Sequence, residues 1–97
     1  MVEQLYISKR VSQKLKNKHK LTNDEVLVAW GIHQGTTLFD MREQHKTTPL
    51  TEWFIVKSAG KMLKIVFVMH EKCAVLKTAY TPNQTEINVF LSEGGKI

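Results

Sequence analysis

Three β-strands and two tight turns can be read directly in residues 51–80, TEWFIVKSAGKMLKIVFVMHEKCAVLKTAY. The strands are predicted over residues 51–58, 61–70 and 73–80, with Gly60 in the first turn and Glu71-Lys72 in the second. The middle strand carries an apolar run over residues 65–69, which has the length of a strand and is too short to span a membrane. Because tight turns join antiparallel neighbours, these residues predict a sheet as the centre of the fold.

Alternation along the strands sorts their side chains into two faces. One face carries no charge and is predicted to be the core: Phe39, Met41, Phe54, Val56, Leu63, Ile65, Phe67, Met69 and Leu76. The other face mixes charged, apolar and aromatic groups: Asp40, Arg42, Trp53, Ile55, Lys57, Lys64, Val66, Val68, His70, Val75 and Lys77. We expect this second face to be half solvated and to carry the function, although a β-bulge would exchange the two faces beyond it.

Helical signals flank the strands on both sides. Ser8 can cap a helix over residues 9–19, and Thr22 with Glu25 forms a capping box for a second helix that ends near residue 33. Thr81 and Pro82 mark the start of a third helix, whose apolar stripe contains Ile87, Phe90 and Leu91. Further strands are predicted at residues 4–7 and 37–43, and a polar loop at 44–50.

These elements predict an α+β fold in a single domain over residues 1–97. Its expected architecture is an antiparallel sheet of four to five strands with two N-terminal helices and one C-terminal helix. The N-terminus lacks the pattern of a signal peptide, and Cys73 is the only cysteine, which excludes an intramolecular disulfide and a multi-thiolate zinc site. We therefore expect a cytoplasmic protein without a membrane span.

The positive charge of the chain is concentrated at its N-terminus. The net charge is +5. Residues 1–20 contain six basic side chains and one acidic side chain, Glu3, whereas the basic and acidic side chains of residues 21–97 balance. A localised basic surface of this kind attracts nucleic acid or an acidic partner, and the alternative is a solvated helix face that keeps the protein soluble.

Asp40, Arg42 and His45 form a cluster at the end of the predicted strand 37–43. Histidine titrates near neutral pH and arginine holds a phosphate through two hydrogen bonds, so the cluster suits acid–base chemistry on a phosphodiester. The alternative is a surface ion pair between Asp40 and Arg42, with His45 as an ordinary loop residue.

Three lysines, Lys57, Lys64 and Lys77, share the second sheet face with Trp53. Cations beside a scissile phosphate stabilise the transition state, and a tryptophan can stack on a base. The alternative is that the lysines only protect strand edges and that Trp53 belongs to the core. The four histidines lack metal-ligand spacing and no nucleotide-binding loop occurs, so we expect neither a metal nor a cofactor.

Several segments together resemble the BrnT-like toxins, a branch of the RelE-like ribonucleases of bacterial toxin–antitoxin pairs. The resemblance covers residues 5–90 and rests on Phe39-Asp40-Met41-Arg42, on the Gly60-Lys61 turn into the most apolar strand, and on Lys77-Thr78-Ala79-Tyr80 followed by Glu86-Ile87. It implies a compact toxin that cleaves RNA without a metal and is held inactive by a cognate antitoxin. The chain departs from the family in the last strand, which has Lys77-Thr78-Ala79-Tyr80 in place of Ser-Ala-Arg. The difference bears on catalysis because lysine does not replace arginine at a bidentate phosphate site.

The resemblance implies catalytic positions at Asp40, Arg42, Lys64, Lys77 and Glu86, to which the residue cluster adds His45. We expect Arg42, Lys64 and Lys77 to hold the phosphate. Asp40 would orient Arg42, and His45 would act as general acid or base. The RNA-binding residues are predicted to be Lys9, Arg10, Lys14, Trp53 and Lys57, with the first helix guiding RNA or docking onto an acidic antitoxin.

Two further functions compete with the nuclease. One is a non-catalytic module whose basic surface binds nucleic acid or a protein, with an affinity that falls steeply with salt. The other is an enzyme acting on a small phosphorylated metabolite, which the absence of a glycine-rich phosphate loop disfavours.

Overall fold

The computed structural model of the protein describes residues 4–33, 35–40 and 50–97. The described elements are, in chain order, β1 (Leu5–Tyr6), α1 (Lys9–Lys14), a π-helical segment (Leu15–His19), α2 (Asn23–Ile32), β2 (Leu38–Phe39), β3 (Thr51–Ser58), β4 (Lys61–His70), β5 (Cys73–Tyr80) and α3 (Gln84–Ser92). The α+β class predicted from the sequence is confirmed.

The described strands form one five-stranded sheet in the order β1-β5-β4-β3-β2. β2, β3, β4 and β5 pair antiparallel, but β1 runs parallel to β5 with Leu5 opposite Ala74. The prediction of a purely antiparallel sheet is therefore wrong. A tight turn dictates direction only between consecutive strands, and most of the chain separates β1 from β5.

The two hairpins of the central sheet confirm the predicted strands 51–58, 61–70 and 73–80. In the first turn Ala59 and Gly60 both adopt positive φ angles, of 53° and 78°, as a type I′ turn requires. In the second turn Glu71 adopts a φ of 55° although it is not glycine. The hairpin position was therefore predictable from the spacing of the strands without the usual turn residue.

The helical part differs from the prediction of two N-terminal helices. The helix expected over residues 9–19 is divided into α1, capped by Ser8, and the π-helical segment, which ends at Lys20 with a φ of 56°. The Thr22–Glu25 capping box of α2 is present. α3 begins after Asn83, which forms a capping box with Glu86, so the predicted cap at Thr81 is wrong.

Helices cover both faces of the sheet. α2 packs on the face of Phe54 and Phe67, where Trp30 contacts both rings. α3 packs on the opposite face, where the ring centroids of Phe90 and Trp53 are 5.8 Å apart. The face predicted to be half solvated is thus buried at its centre: the exposed fraction is 8% for Trp53, 0% for Ile55 and 8% for Lys64. The apolar stripe of α3 needs a surface to cover, and α2 already occupies the other face.

A bulge in β5 changes the alternation near its end. The register shifts between Val66 and Phe67, which pair with Thr78 and Leu76, so that Lys77 is the extra residue. Beyond the bulge Tyr80 lies opposite Lys64 and joins the face covered by α3. Among the described residues, no helix is long and apolar enough to cross a membrane.

Candidate functional site

A cavity of about 510 Å³ lies between the edge of the sheet and the start of α3. The described residues that line it come from β2, β3, β4 and α3 and from the residue after β2: Phe39, Asp40, Trp53, Lys64, Thr85, Glu86 and Val89. Four of them are residues that the sequence assigned to catalysis or RNA binding: Asp40, Trp53, Lys64 and Glu86. The fold therefore brings together side chains that are up to 46 positions apart in the chain.

Strand register and a helix cap position the polar groups of this cavity. Asp40 continues the β2–β3 ladder, since its amide donates a hydrogen bond of 2.8 Å to the Thr51 carbonyl. Lys64, on β4, lies opposite Ile55 of β3 and projects toward α3. Glu86 belongs to the first turn of α3, where its Oε1 accepts a hydrogen bond of 2.9 Å from the Asn83 amide.

A buried ion pair forms the centre of the site. Lys64 Nζ lies 2.7 Å from Glu86 Oε2, and the two side chains are only 10% and 20% exposed. Tyr80 donates a second hydrogen bond to the same oxygen, at 2.8 Å. One carboxylate thus joins β4, β5 and α3, and each of the three side chains has a polar partner away from water.

This network keeps Glu86 ionised and Tyr80 protonated. Burial alone would raise the pKa of Glu86, but the hydrogen bonds from Lys64, from the Asn83 amide and from Tyr80 outweigh it and lower the pKa. Burial raises the pKa of Tyr80, and the hydrogen bond to Glu86 raises it further. At neutral pH Glu86 is therefore a carboxylate and Tyr80 a phenol, and neither is a strong base.

Trp53 is packed inside the protein beside this ion pair. Lys64 Nζ lies 4.3 Å from the centroid of the Trp53 ring and 5.5 Å from that of Tyr80, both distances typical of cation–π contacts. Phe90 contacts the indole from α3. The ring predicted to stack on a base is therefore in contact with Lys64 and Phe90. Only the part of the ring that lines the cavity remains accessible.

The basic N-terminal side chains lie on α1, on the π-helical segment and on Lys20. Lys9, Arg10 and Lys14, which were predicted to bind RNA, are exposed, and so are Lys16, Lys18 and Lys20. No described acidic side chain forms an ion pair with any of the six. The excess charge of the chain is thus exposed to solvent along one stretch, which we call the basic segment (residues 9–20).

His19 connects the basic segment to the ion pair. Its ring centroid lies 5.7 Å from that of Tyr80, whose hydroxyl bonds Glu86. Burial, together with the nearby charges of Lys14 and Lys18, lowers the pKa of His19, so its imidazole is neutral at pH 7. The sequence does not assign His19 or Tyr80 to the site. It places His19 on the apolar stripe of the first helix with Val11 and Leu15, and it favours a Tyr80 packed under the last helix over a phenol at the site.

The remaining predicted residues are dispersed. Lys57 is exposed on β3 and Lys77 is exposed at the bulge of β5, and neither lines the cavity. Arg42 and His45 lie outside the described residues. The expected convergence of Lys77 with Lys64 is not seen, because the bulge separates Lys77 from the position opposite Lys64.

The chain matches no family model, and no curated protein is similar to it. Within residues 4–33, 35–40 and 50–97, no three histidine, cysteine, aspartate or glutamate side chains come together as a metal site requires. The site is therefore interpreted from its own geometry: a buried Lys–Glu–Tyr network beside an open cavity and a basic segment.

Proposed function

We propose that this protein cleaves RNA without a metal, as the toxin of a toxin–antitoxin pair, with the cavity beside Lys64 and Glu86 as its active site. The observation that carries the proposal is the convergence of Asp40, Lys64 and Glu86 on one cavity. Each of these residues is a catalytic position implied by the sequence. An antitoxin that covers the basic segment or the cavity would hold the protein inactive.

The reaction is an attack of the ribose 2′-oxygen on the adjacent phosphorus. The bond from phosphorus to the 5′-oxygen breaks, which leaves a 2′,3′-cyclic phosphate and a 5′-hydroxyl. His45 acts as general acid or base and either takes the proton of the 2′-hydroxyl or supplies one to the 5′-oxygen. A water molecule exchanges the other proton, so that the proton lost at the 2′-oxygen is balanced by the one gained at the 5′-oxygen. Arg42, oriented by Asp40, neutralises the phosphate.

Lys64 adds positive charge from the floor of the cavity. Its ammonium group has three hydrogen-bond donors, and Glu86 takes one of them at 2.7 Å. The Tyr80 hydroxyl also forms a hydrogen bond with this group, so one donor remains for a phosphate oxygen that enters the cavity. Glu86 and Tyr80 are positioning residues, because they act on the substrate only through Lys64.

The test is RNA cleavage in EDTA by a double variant, Lys64→Met with Glu86→Gln. Glutamine retains the capping position of α3, and the neutral pair avoids a buried unpaired charge. We expect cleavage to fall by about 100-fold or more, the usual loss when one transition-state donor is removed. The matched control is Lys61→Met with Glu25→Gln, which removes an exposed ion pair of 2.9 Å and should leave the rate unchanged. If the two variants cleave RNA at equal rates, the cavity is not the active site.

A second candidate is a non-catalytic RNA-binding module. It is favoured by the mutual neutralisation of Lys64 and Glu86, since a buried, paired lysine also serves to fasten a helix to a sheet. This alternative expects RNA binding that weakens with salt, no cleavage in EDTA, and growth unaffected by expression of the protein. The toxin instead arrests growth, and co-expression of the neighbouring gene relieves the arrest.

A further inference from the structure

A second cavity, of about 300 Å³, lies on the opposite face of the sheet. Its described lining is mainly aromatic: Trp30 and His33 come from the end of α2, and Phe54 and Phe67 come from β3 and β4. Glu52, Met69, Gly35 and Thr37 complete it. None of these residues belongs to the site proposed for cleavage.

The aromatic side chains of this cavity form flat and rigid walls. The His33 ring stacks on Phe54 with 3.8 Å between centroids and 12° between planes. Trp30 contacts Phe67 edge-on at 4.9 Å. Phe54 and Phe67 are buried, whereas Trp30 and His33 are half-buried and present part of their rings to the cavity. Walls of this kind complement a planar ligand that stacks.

Glu52 is the only charged side chain among the described lining residues. Its Oε1 accepts a hydrogen bond of 2.9 Å from the Thr37 hydroxyl, which fixes the carboxylate at the rim of the aromatic walls. Burial lowers the pKa of His33, although hydrogen bonds to the carbonyls of Thr36 and Gly35 partly oppose this, so the imidazole does not offset the negative charge at pH 7. A phosphate is repelled here, and a planar group with hydrogen-bond donors along one edge is favoured.

We infer that this cavity binds a guanine base of single-stranded RNA, with the carboxylate of Glu52 accepting hydrogen bonds from guanine N1–H and N2–H. Guanine is the RNA base whose Watson–Crick edge presents two adjacent donors, whereas adenine presents the acceptor N1 at the corresponding position. The inference rests on the proposed function only in taking RNA as the source of the base. It makes the protein guanine-selective, since proteins read unstacked RNA bases by stacking and by hydrogen bonds to this edge.

The test is a titration with free GMP, IMP and AMP, followed by the fluorescence of Trp30 in a Trp53→Phe background. GMP should bind about tenfold more tightly than AMP, as a bidentate contact to a base provides, and IMP, which lacks the 2-amino group, should lie between them. Glu52→Gln should abolish the preference. Glu93→Gln, which removes the same charge from an exposed position after α3, should retain it. In the wild-type protein the methyl NMR signal of Met69 should move with GMP, which tests the site without any substitution.

Equal affinity for GMP and AMP, or a preference that survives Glu52→Gln, would overturn the inference. Tighter binding of N-acetyl-arginine amide than of GMP would also overturn it and would assign the cavity to an arginine of a protein partner. Loss of cleavage and loss of guanine binding are separable, because Lys64→Met with Glu86→Gln alters the other face of the sheet and should leave GMP binding unchanged.

Discussion

At the scale of single residues, the Lys64–Glu86 pair connects stability to function. It lies between β4 and α3 at 2.7 Å, and each partner is largely removed from water. A buried charge that loses its partner is costly, whereas replacing both partners with neutral groups is often tolerated. The pair therefore allows a prediction about the stability of the protein that does not depend on RNA cleavage.

Glu86→Ala should lower the free energy of unfolding by about 3–5 kcal/mol, because it leaves Lys64 buried without a partner and removes the capping box of α3. Lys64→Met combined with Glu86→Gln should recover most of this loss. Urea unfolding followed by circular dichroism measures both. A double variant as unstable as Glu86→Ala would show that the ion pair itself, rather than the avoidance of an unpaired charge, holds α3 in place.

His33 should make stability depend on pH. Folding lowers its pKa below the ordinary value of about 6.5, chiefly because the ring is buried against Phe54. The unfolded chain therefore takes up a proton at a higher pH than the folded protein does. This contribution to stability is complete above pH 6.5 and declines as the pH falls below it.

His33→Phe keeps an aromatic ring on Phe54 and removes the titrating group. The free energy of unfolding should then fall less steeply between pH 6.5 and pH 5 than in the wild type. His70→Gln, at the exposed end of β4, serves as the control and should retain the wild-type slope. Identical slopes for His33→Phe and the wild type would contradict the assignment of a buried, neutral imidazole.

At the scale of secondary-structure elements, the position of α3 determines the site. Its fully buried Phe90 seals one sheet face, and the chain after the helix turns back closely over that ring. A Cβ placed on Gly95 would lie 2.5 Å from the Phe90 ring, whereas one placed on Gly31 of α2 would have no atom within 4 Å. Substitution by alanine should therefore have opposite effects on the stability of the protein at these two glycines.

Gly95→Ala should destabilise the protein by about 1–3 kcal/mol through overpacking against Phe90. Gly31→Ala should stabilise it by up to about 1 kcal/mol, since alanine is the better helix former and meets no neighbour. Thermal unfolding of the two variants beside the wild type checks both signs. A neutral Gly95→Ala would mean that the turn after α3 does not hold Phe90 in place.

The sequence predicted the elements better than their arrangement. Alternation and turn spacing predicted β3, β4 and β5 to the residue, and the Thr22–Glu25 pair predicted the start of α2. The stripe of α3 indicated which side of the helix is apolar but not which sheet face it covers, because periodicity is a local property. The bulge at Lys77, which turns Tyr80 toward Glu86, has no signal in the residues around it.

The same limit applies to the site. Residue chemistry and the toxin resemblance selected Asp40, Lys64 and Glu86, which do line one cavity. They also placed Lys77 beside Lys64, which the register does not support. Tyr80 and His19 were missed because their roles depend on contacts between distant elements, and such contacts appear only once the π-helical segment, β5 and α3 are packed together.

At the scale of the whole molecule, charge is distributed unevenly. The basic segment carries exposed and unpaired cations, whereas the rest of the chain is balanced. Its end, at His19, lies against Tyr80 and therefore close to the cavity network. Under the proposed function, the basic segment would attract RNA to the side of the protein where the proposed cleavage site lies.

The salt dependence of RNA binding should reveal this surface. Lys16→Gln with Lys18→Gln should reduce the slope of log K against log salt concentration by about 1.4, since each lost contact to a single strand contributes about 0.7. Lys72→Gln with Lys96→Gln makes the same charge change at exposed positions outside the basic segment and should leave the slope unchanged. Equal slope changes in both variants would indicate binding by net charge alone.

Backbone NMR with a short RNA that carries 2′-O-methyl groups, and so is not cleaved, shows whether RNA occupies the cavity beside Lys64 and Glu86. We expect shifts of the Asp40, Thr85 and Val89 amides together with those of the basic segment. The Glu71-Lys72 hairpin, which lines neither described cavity, should remain unshifted. Shifts confined to residues 9–20, with the amides around the cavity unmoved at saturating RNA, would contradict the proposed active site.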